Sequence, residues 1–193
     1  MEYQSDEKGT VMNRRRFTMV ACAAALVTGS ITVLITPASA AGVNASCKGS
    51  FRSTFSPSII ATVRSVTSTT NSQYNDCVTG RPGDGHNSST NEVSCQSVRT
   101  TVAPVEETIT WDYSEEPKQS KIVYNKVDVD GPSVIWEGKV ASGRFQGDSA
   151  RKVMQVTSWN QDGYQCLFPQ NDVFSGELTE VGGDTEITIT SIR

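Results

Sequence analysis

Between residues 41 and 193, apolar and polar side chains alternate along the chain with a period of two. Val105, Ile109 and Trp111 lie on one face of a predicted strand, while Glu106, Thr108, Thr110 and Asp112 lie on the other. The alternation recurs in three later segments, 133–140, 151–159 and 186–190. The apolar set is rich in valine, isoleucine and aromatic residues, and many polar positions hold serine or threonine, which is typical of half-buried β-strands. The pattern therefore predicts strands and no long helix.

Turn-forming residues separate the predicted strands. They occur at Ser56-Pro57, Glu115-Glu116-Pro117-Lys118, Asp130-Gly131-Pro132, Gly143 with Gly147-Asp148, Asp162-Gly163 and Gly182-Gly183-Asp184. About nine strands, spaced roughly 8–12 residues apart in the second half, predict an all-β, antiparallel fold. We favour a β-sandwich, with a closed β-barrel as the alternative. No internal repeat or linker divides residues 41–193, so we expect a single disulfide-stapled domain.

The first forty residues have the composition of an export segment. Arg14, Arg15 and Arg16 precede an uncharged and mostly apolar run over residues 18–35. Small residues at Ala38 and Ala40 then match the signal-peptidase pattern. We therefore predict a signal peptide over residues 1–40 that is cleaved after Ala40.

Two export routes fit this segment. The double arginine shortly before Phe17 resembles a twin-arginine signal, and an ordinary secretory signal is the alternative. An uncleaved membrane anchor fits less well, because Thr28, Gly29 and Ser30 interrupt the apolar run. No second run of that length follows, so we expect a secreted chain without a stable membrane span after processing.

Four cysteines follow residue 40, namely Cys47, Cys77, Cys95 and Cys166. An even number in an exported chain predicts two disulfides, with three possible connectivities. Cys77 and Cys95 flank a turn-rich stretch at residues 80–87, so a hairpin there would bring them face to face. We therefore favour Cys77–Cys95 and Cys47–Cys166. Without CxxC spacing, and with one histidine, the sequence predicts no metal site.

Composition and charge exclude several classes of protein. The chain is 36% hydrophobic and 20% charged, which is typical of a globular domain. Its formal net charge of −4 is unsuited to nucleic acid, whose phosphates attract clustered lysine and arginine. The sequence contains no glycine-rich phosphate-binding motif, so we expect no cofactor.

Candidate catalytic groups are few. His86 is the only histidine, and it lies in the turn-rich stretch, so a serine or cysteine hydrolase lacks its usual base. Paired carboxylates could support a carbohydrate-active hydrolase, and the candidates are Glu106, Glu107, Glu115, Glu116, Asp128, Asp130 and Glu137. Adjacent residues on a strand point to opposite faces, which separates Glu106 from Glu107. We interpret these carboxylates as solvated surface and predict no catalytic residue.

Three tryptophans remain to be placed. Trp111 and Trp136 share strand faces with other apolar residues, so we expect both in the core. Trp159 comes directly before a predicted turn at residues 160–163. It is therefore the best candidate for an exposed ring that contacts a ligand.

Several short segments together carry a resemblance to a known family. They are Cys47-Lys48-Gly49, Ser56-Pro57, Tyr74 before Cys77, Ser94-Cys95, the segment 138–148 and Cys166-Leu167. In these the chain resembles small secreted actinobacterial proteins that are rich in β-structure and carry an N-terminal export signal and about four cysteines. The glycine-framed Arg144-Phe145 is the most specific part. The resemblance implies a β-rich exported domain and assigns no activity or functional residue.

Together these observations predict a secreted, non-enzymatic binding domain that acts at the cell surface or in the medium. Its partner would be an extracellular polysaccharide, contacted by Trp159, or a protein. One alternative is a secreted inhibitor of an extracellular hydrolase that uses the loop between Cys77 and Cys95, since a bridged loop is pre-organised for binding. The other alternative is the carbohydrate-active hydrolase.

Overall fold

The computed structural model describes residues 42–98, 104–169, 171 and 173–192. The signal peptide predicted at residues 1–40 lies outside the described residues. The described chain is all-β and antiparallel, which confirms the predicted class. Its strands are β1 (Val43–Ile59), β2 (Arg64–Thr79), β3 (Gly83–Val93), β4 (Val105–Trp111), β5 (Gln119–Asp130), β6 (Ser133–Gly143), β7 (Ser149–Trp159) and β8 (Leu178–Thr190). A 3₁₀ turn at Gln161–Gly163 and a one-turn helix, α1 (Tyr164–Leu167), lie between β7 and β8.

The eight strands form a closed barrel, which was the alternative to the favoured sandwich. Each strand pairs with the next, and β8 pairs back onto β1, so the described sheet closes on itself. Both architectures bury one face of every strand, so a period-two pattern is the same in both. The contact that distinguishes them joins the first strand to the last and leaves no local signal in the sequence.

Two of the predicted breaks lie inside long strands. Ser56-Pro57 falls within β1, and Gly182-Gly183-Asp184 falls within β8. A Cβ atom at Gly183 would lie 1.9 Å from the carbonyl oxygen of Gln155. This glycine therefore permits the close approach of β7 and β8 and does not mark a turn.

Aromatic residues fill one end of the barrel, here called the lower end, at which β1 begins. Trp111 packs edge-on against Phe145, with 5.8 Å between ring centroids, and Phe145 packs against Tyr113 at 6.3 Å. The guanidinium carbon of Arg144 lies 3.8 Å from the centroid of the Tyr113 ring. Trp111 and Trp136 are 2% and 6% exposed, which confirms that both belong to the core.

The four cysteines form two disulfides, as predicted, but with a different connectivity. Cys47 bonds to Cys77, and Cys95 bonds to Cys166. The predicted Cys77–Cys95 and Cys47–Cys166 bridges are wrong because the β2–β3 turn lies at residues 80–82 and not near residue 86. Cys77 is therefore near the lower end, where it faces Cys47 in the β1–β2 ladder, while Cys95 is at the opposite, upper end.

The segment between Cys77 and Cys95 is not an extended loop. Most of it is β3, which pairs with β2 from Tyr74↔Gly83 to Arg64↔Val93. The inhibitor hypothesis placed its binding element in a loop over this segment, whereas the structure forms β3 over most of it.

Candidate functional site

A cavity of about 200 Å³ lies inside the upper half of the barrel. Its apolar wall is formed by inward side chains of β1, β6, β7 and β8, among them Phe51, Phe55, Trp136, Met154 and Leu178. An eight-stranded barrel is just wide enough for side chains to fill it or for one small ligand to bind inside. In this barrel the side chains fill the lower half and leave space in the upper half.

Short polar side chains account for the space. β2 and β3 contribute what we call the polar wall of the cavity: Ser68, Thr70, Asn87, Ser89 and Asn91. Some of these groups bond to one another or to neighbours. Thr70 Oγ1 lies 2.7 Å from Ser53 Oγ, and Asn91 Nδ2 donates to Ser89 Oγ at 3.3 Å. The cavity therefore has an apolar wall and a polar wall.

Next to the polar wall, the hydrogen-bonded pairing between β3 and β4 is short. It contains four pairs, from Gly83↔Trp111 to His86↔Thr108. One residue further towards the upper end, the side-chain Nδ2 of Asn87 donates to the backbone carbonyl oxygen of Glu106. This bond stands in place of a backbone hydrogen bond between the two strands. The Asn87 side chain thus links β3 to β4 where their backbones separate.

A disulfide-linked cap covers the upper end. We define the cap as residues 94–98 together with α1, which the Cys95–Cys166 bond joins. The backbone N–H of Cys95 donates to the Ile60 carbonyl at 2.9 Å, which ties the cap to the rim of the barrel. Val98 and Leu167 of the cap line the cavity.

A buried polar cluster lies below the cavity. Lys152 Nζ is 2.6 Å from Glu107 Oε1 and donates to Ser72 Oγ at 2.9 Å. Tyr124 donates to Glu107 Oε2 at 2.8 Å, and Tyr74 donates to Glu107 Oε1 at 3.3 Å. Ser72, Glu107 and Lys152 lie two positions along their strands from the cavity residues Thr70, Val105 and Met154. This buried cluster is therefore the floor of the cavity.

Two features accommodate the buried cluster: a glycine that leaves room for the Glu107 carboxylate, and tyrosines whose phenols stay protonated. A Cβ atom on Gly85 would lie 2.4 Å from Glu107 Oε1, so glycine leaves room for the carboxylate. Burial, followed by the negative charge of Glu107, raises the pKa of Tyr74 and of Tyr124 well above the ordinary tyrosine value. Both phenols therefore remain protonated donors, and the opposite charges of Lys152 and Glu107 compensate each other.

Trp136 connects the floor to the apolar wall. Its ring centroid lies 5.1 Å from Lys152 Nζ and 5.3 Å from the Tyr124 ring centroid. Its Nε1–H is buried and has no hydrogen-bond acceptor among the described residues. The indole thus covers the ion pair on the cavity side with an apolar face.

The two aromatic residues singled out from the sequence lie outside the cavity. Trp159 is half-buried at the end of β7, where its ring centroid lies 5.7 Å from that of Tyr164 and 5.5 Å from that of Phe168. It borders a second pocket, which Arg52 also lines. His86 is exposed on β3, and its Nδ1 lies 2.9 Å from Asn71 Oδ1. Neither side chain is placed near the buried cluster.

The candidate carboxylates separate into one buried residue and a surface set. Glu106 forms an exposed ion pair with Lys121 at 2.8 Å, and Glu137 pairs with Lys126 at 2.9 Å. Glu107 points inward, which confirms the predicted separation of the adjacent pair and corrects its assignment to the surface. The other candidates are all exposed, namely Glu115, Glu116, Asp128 and Asp130.

Sequence analysis missed Lys152 and the role of Glu107, although a signal for both was present. Glu107 has the parity of Val105 and Ile109, and Lys152 has the parity of Ala150 and Met154. When each of two strands carries a charged residue on its otherwise apolar face, and the two charges are opposite, the pattern indicates an ion pair inside the fold.

The described residues, 42–98, 104–169, 171 and 173–192, also bear on a metal site and on a membrane span. No group of three or more histidine, cysteine, aspartate or glutamate residues comes together there as a metal site. No described helix is long and apolar enough to span a membrane. Comparisons of the chain with protein-family models, curated proteins and solved structures found no match.

Proposed function

We propose that residues 41–193 form a secreted, non-enzymatic binding domain that holds one small, largely apolar molecule inside the barrel. The observation that carries this proposal is the cavity of about 200 Å³, with its aromatic and aliphatic wall, inside a closed barrel. Concave, mostly apolar sites with a few polar groups are the usual form of small-molecule sites.

A cavity of about 200 Å³ departs from the usual packing of a protein interior. Protein interiors are normally close-packed. A ligand that fills the space restores the missing contacts and stabilises the native state.

The volume limits the size of the ligand. A cavity of about 150 Å³ accommodates benzene, so a molecule on the order of ten non-hydrogen atoms fits here. A polysaccharide or a protein segment is too large for this interior. We therefore replace the expected polymer partner with a small molecule, and we place its contacts at the cavity rather than at Trp159.

Two further observations support the non-enzymatic and secreted parts of the proposal. Glu107, the one buried carboxylate among the candidates, already accepts hydrogen bonds from Lys152, Tyr74 and Tyr124, so it is not poised as a catalytic acid or base. Two disulfides are typical of an oxidising compartment outside the cytoplasm.

Calorimetric titration of the purified, oxidised protein with cumene, a small uncharged hydrocarbon, tests the proposal. We expect saturable binding of one molecule per barrel. Ser89→Phe, which fills the cavity, should abolish binding, whereas Ser88→Phe on the exposed face should retain it. Absence of saturable binding, or equal binding by the two variants, would contradict the proposal.

A further inference from the structure

The polar wall presents hydrogen-bonding atoms that no described residue uses. Asn87 is 5% exposed and lines the cavity. Its Nδ2 donates to the Glu106 carbonyl, while no described residue donates to its Oδ1. The Ser68 hydroxyl also lines the cavity and has no partner among the described residues. Ser68 is half-buried, and both atoms therefore remain available to a polar group that enters the cavity.

The two groups are close to each other on the inner face of the sheet. Thr70 pairs with Asn87 and Ser68 pairs with Ser89 in the β2–β3 ladder. Ser68 and Asn87 are therefore diagonal neighbours that project from the same face, within reach of one small polar group.

We infer that the ligand carries a neutral hydroxyl group on an otherwise apolar body, and that Asn87 and Ser68 bind this hydroxyl. The inference rests on the proposed function and specifies the chemistry of its ligand. The ligand hydroxyl donates to Asn87 Oδ1 and accepts from the Ser68 hydroxyl, which satisfies both atoms. The body of the ligand then packs against Phe51, Trp136 and Met154 on the apolar wall.

The charge of the surrounding residues favours a neutral ligand. None of the described residues that line the cavity carries a charge. Below the lining, Lys152 is already paired with Glu107 and shielded by the Trp136 ring. An ionised ligand would lose its hydration without gaining a counter-charge, which is strongly unfavourable.

Three probes of nearly equal size test the inference: 1-phenylethanol, cumene and benzoate. We expect calorimetric titration of the oxidised protein to show binding of the alcohol and the hydrocarbon and none of benzoate. The decisive quantity is the ratio of the Kd of cumene to the Kd of 1-phenylethanol. Ser68→Ala should lower this ratio about fivefold, because one hydrogen bond to the alcohol is lost.

Two further variants keep the test interpretable. Asn87→Leu should lower the ratio in the same direction, whereas Thr69→Ala, on the outer face of β2, should leave it unchanged. A ratio of affinities within one variant cancels changes in cavity shape that affect both probes equally. An unchanged ratio in Ser68→Ala and Asn87→Leu, or tighter binding of benzoate than of 1-phenylethanol, would overturn the inference while leaving the proposed function intact. Failure of all three probes to bind would instead count against the proposed function.

Discussion

Lys152 and Glu107 form an ion pair inside the barrel, with 2.6 Å between Nζ and Oε1 and side chains that are 0% and 1% exposed. Their strands, β7 and β4, are not neighbours in the sheet, so the pair links opposite parts of the wall through the interior. The pair also separates the cavity above it from the packed aromatic residues of the lower end.

Replacement of Lys152 should be strongly destabilising. Lys152→Met leaves the Glu107 carboxylate buried without a counter-charge, so we expect the free energy of unfolding to fall by about 3–5 kcal/mol. The double variant Lys152→Met/Glu107→Gln removes both charges and should recover most of the loss, as measured by urea denaturation. Lys126→Met, which breaks an exposed ion pair, is the control and should have a much smaller effect. Equal losses for the two lysine variants would contradict this account.

Stability should fall at alkaline pH because of Tyr74 and Tyr124. Burial, and then the charge of Glu107, raises the pKa of both phenols above the ordinary value of about 10. Above about pH 10 the unfolded chain therefore releases protons that the native state retains. This contribution to stability is fully present below about pH 10 and is lost as the pH rises towards the native pKa values.

Tyr124→Phe isolates the contribution of one phenol. Each tyrosine contributes a slope of about 1.4 kcal/mol per pH unit to the free energy of unfolding in this range. Urea denaturation at several pH values above about 10 should give a slope shallower by that amount in the variant. The variant is also less stable at neutral pH, since Glu107 loses a hydrogen bond, so the slope is the informative quantity. An unchanged slope would show that Tyr124 does not couple folding to pH.

The strands and much of the core could be predicted because period-two alternation reports burial directly. Trp111 and Trp136 lie on the apolar faces of their predicted strands, and both are buried. Closure of the barrel could not be read in the same way, because the pairing of Val43 with Thr190 joins residues that are far apart in sequence. The turn predicted at Gly182-Gly183-Asp184 is wrong, because the absence of a Cβ atom at Gly183 allows β7 and β8 to pack closely.

The candidate site was harder to predict, because a cavity is defined by side chains that are too small to fill it. Serine and threonine on β2 and β3 look like the outer face of a half-buried strand. In the barrel, however, Ser68 and Ser89 point inward. The prediction of the disulfide pairing was wrong because it depended on the exact position of the hairpin turn. A shift of that turn by a few residues moves Cys77 and Cys95 to opposite ends of the barrel.

Gly85 should be essential for the buried cluster. In Gly85→Ala the new Cβ would lie 2.4 Å from Glu107 Oε1, so the carboxylate must move away from Lys152 or the strand must shift. We expect a loss of about 1–3 kcal/mol in the free energy of unfolding, as for other overpacked interiors. Gly42→Ala is the matched control, since its Cβ would lie 3.5 Å from Ser191 Oγ, an ordinary contact. A loss in Gly85→Ala no greater than that in the control would contradict the close approach.

The two disulfides should differ in their effect on ligand release. In the chain-entropy model, the Cys95–Cys166 bond, with a sequence separation of 71, contributes about 4.4 kcal/mol, and the Cys47–Cys77 bond, with a separation of 30, contributes about 3.6 kcal/mol. Removal of either by paired alanine substitutions therefore costs similar stability. Of the two disulfides, the Cys95–Cys166 bond is the one that joins the two parts of the cap. Its removal should therefore accelerate the dissociation of cumene, measured by stopped-flow tryptophan fluorescence. Removal of the Cys47–Cys77 bond at the lower end should leave the dissociation rate unchanged. Equal acceleration in both variants would indicate general loosening of the barrel and would contradict a specific role for the cap.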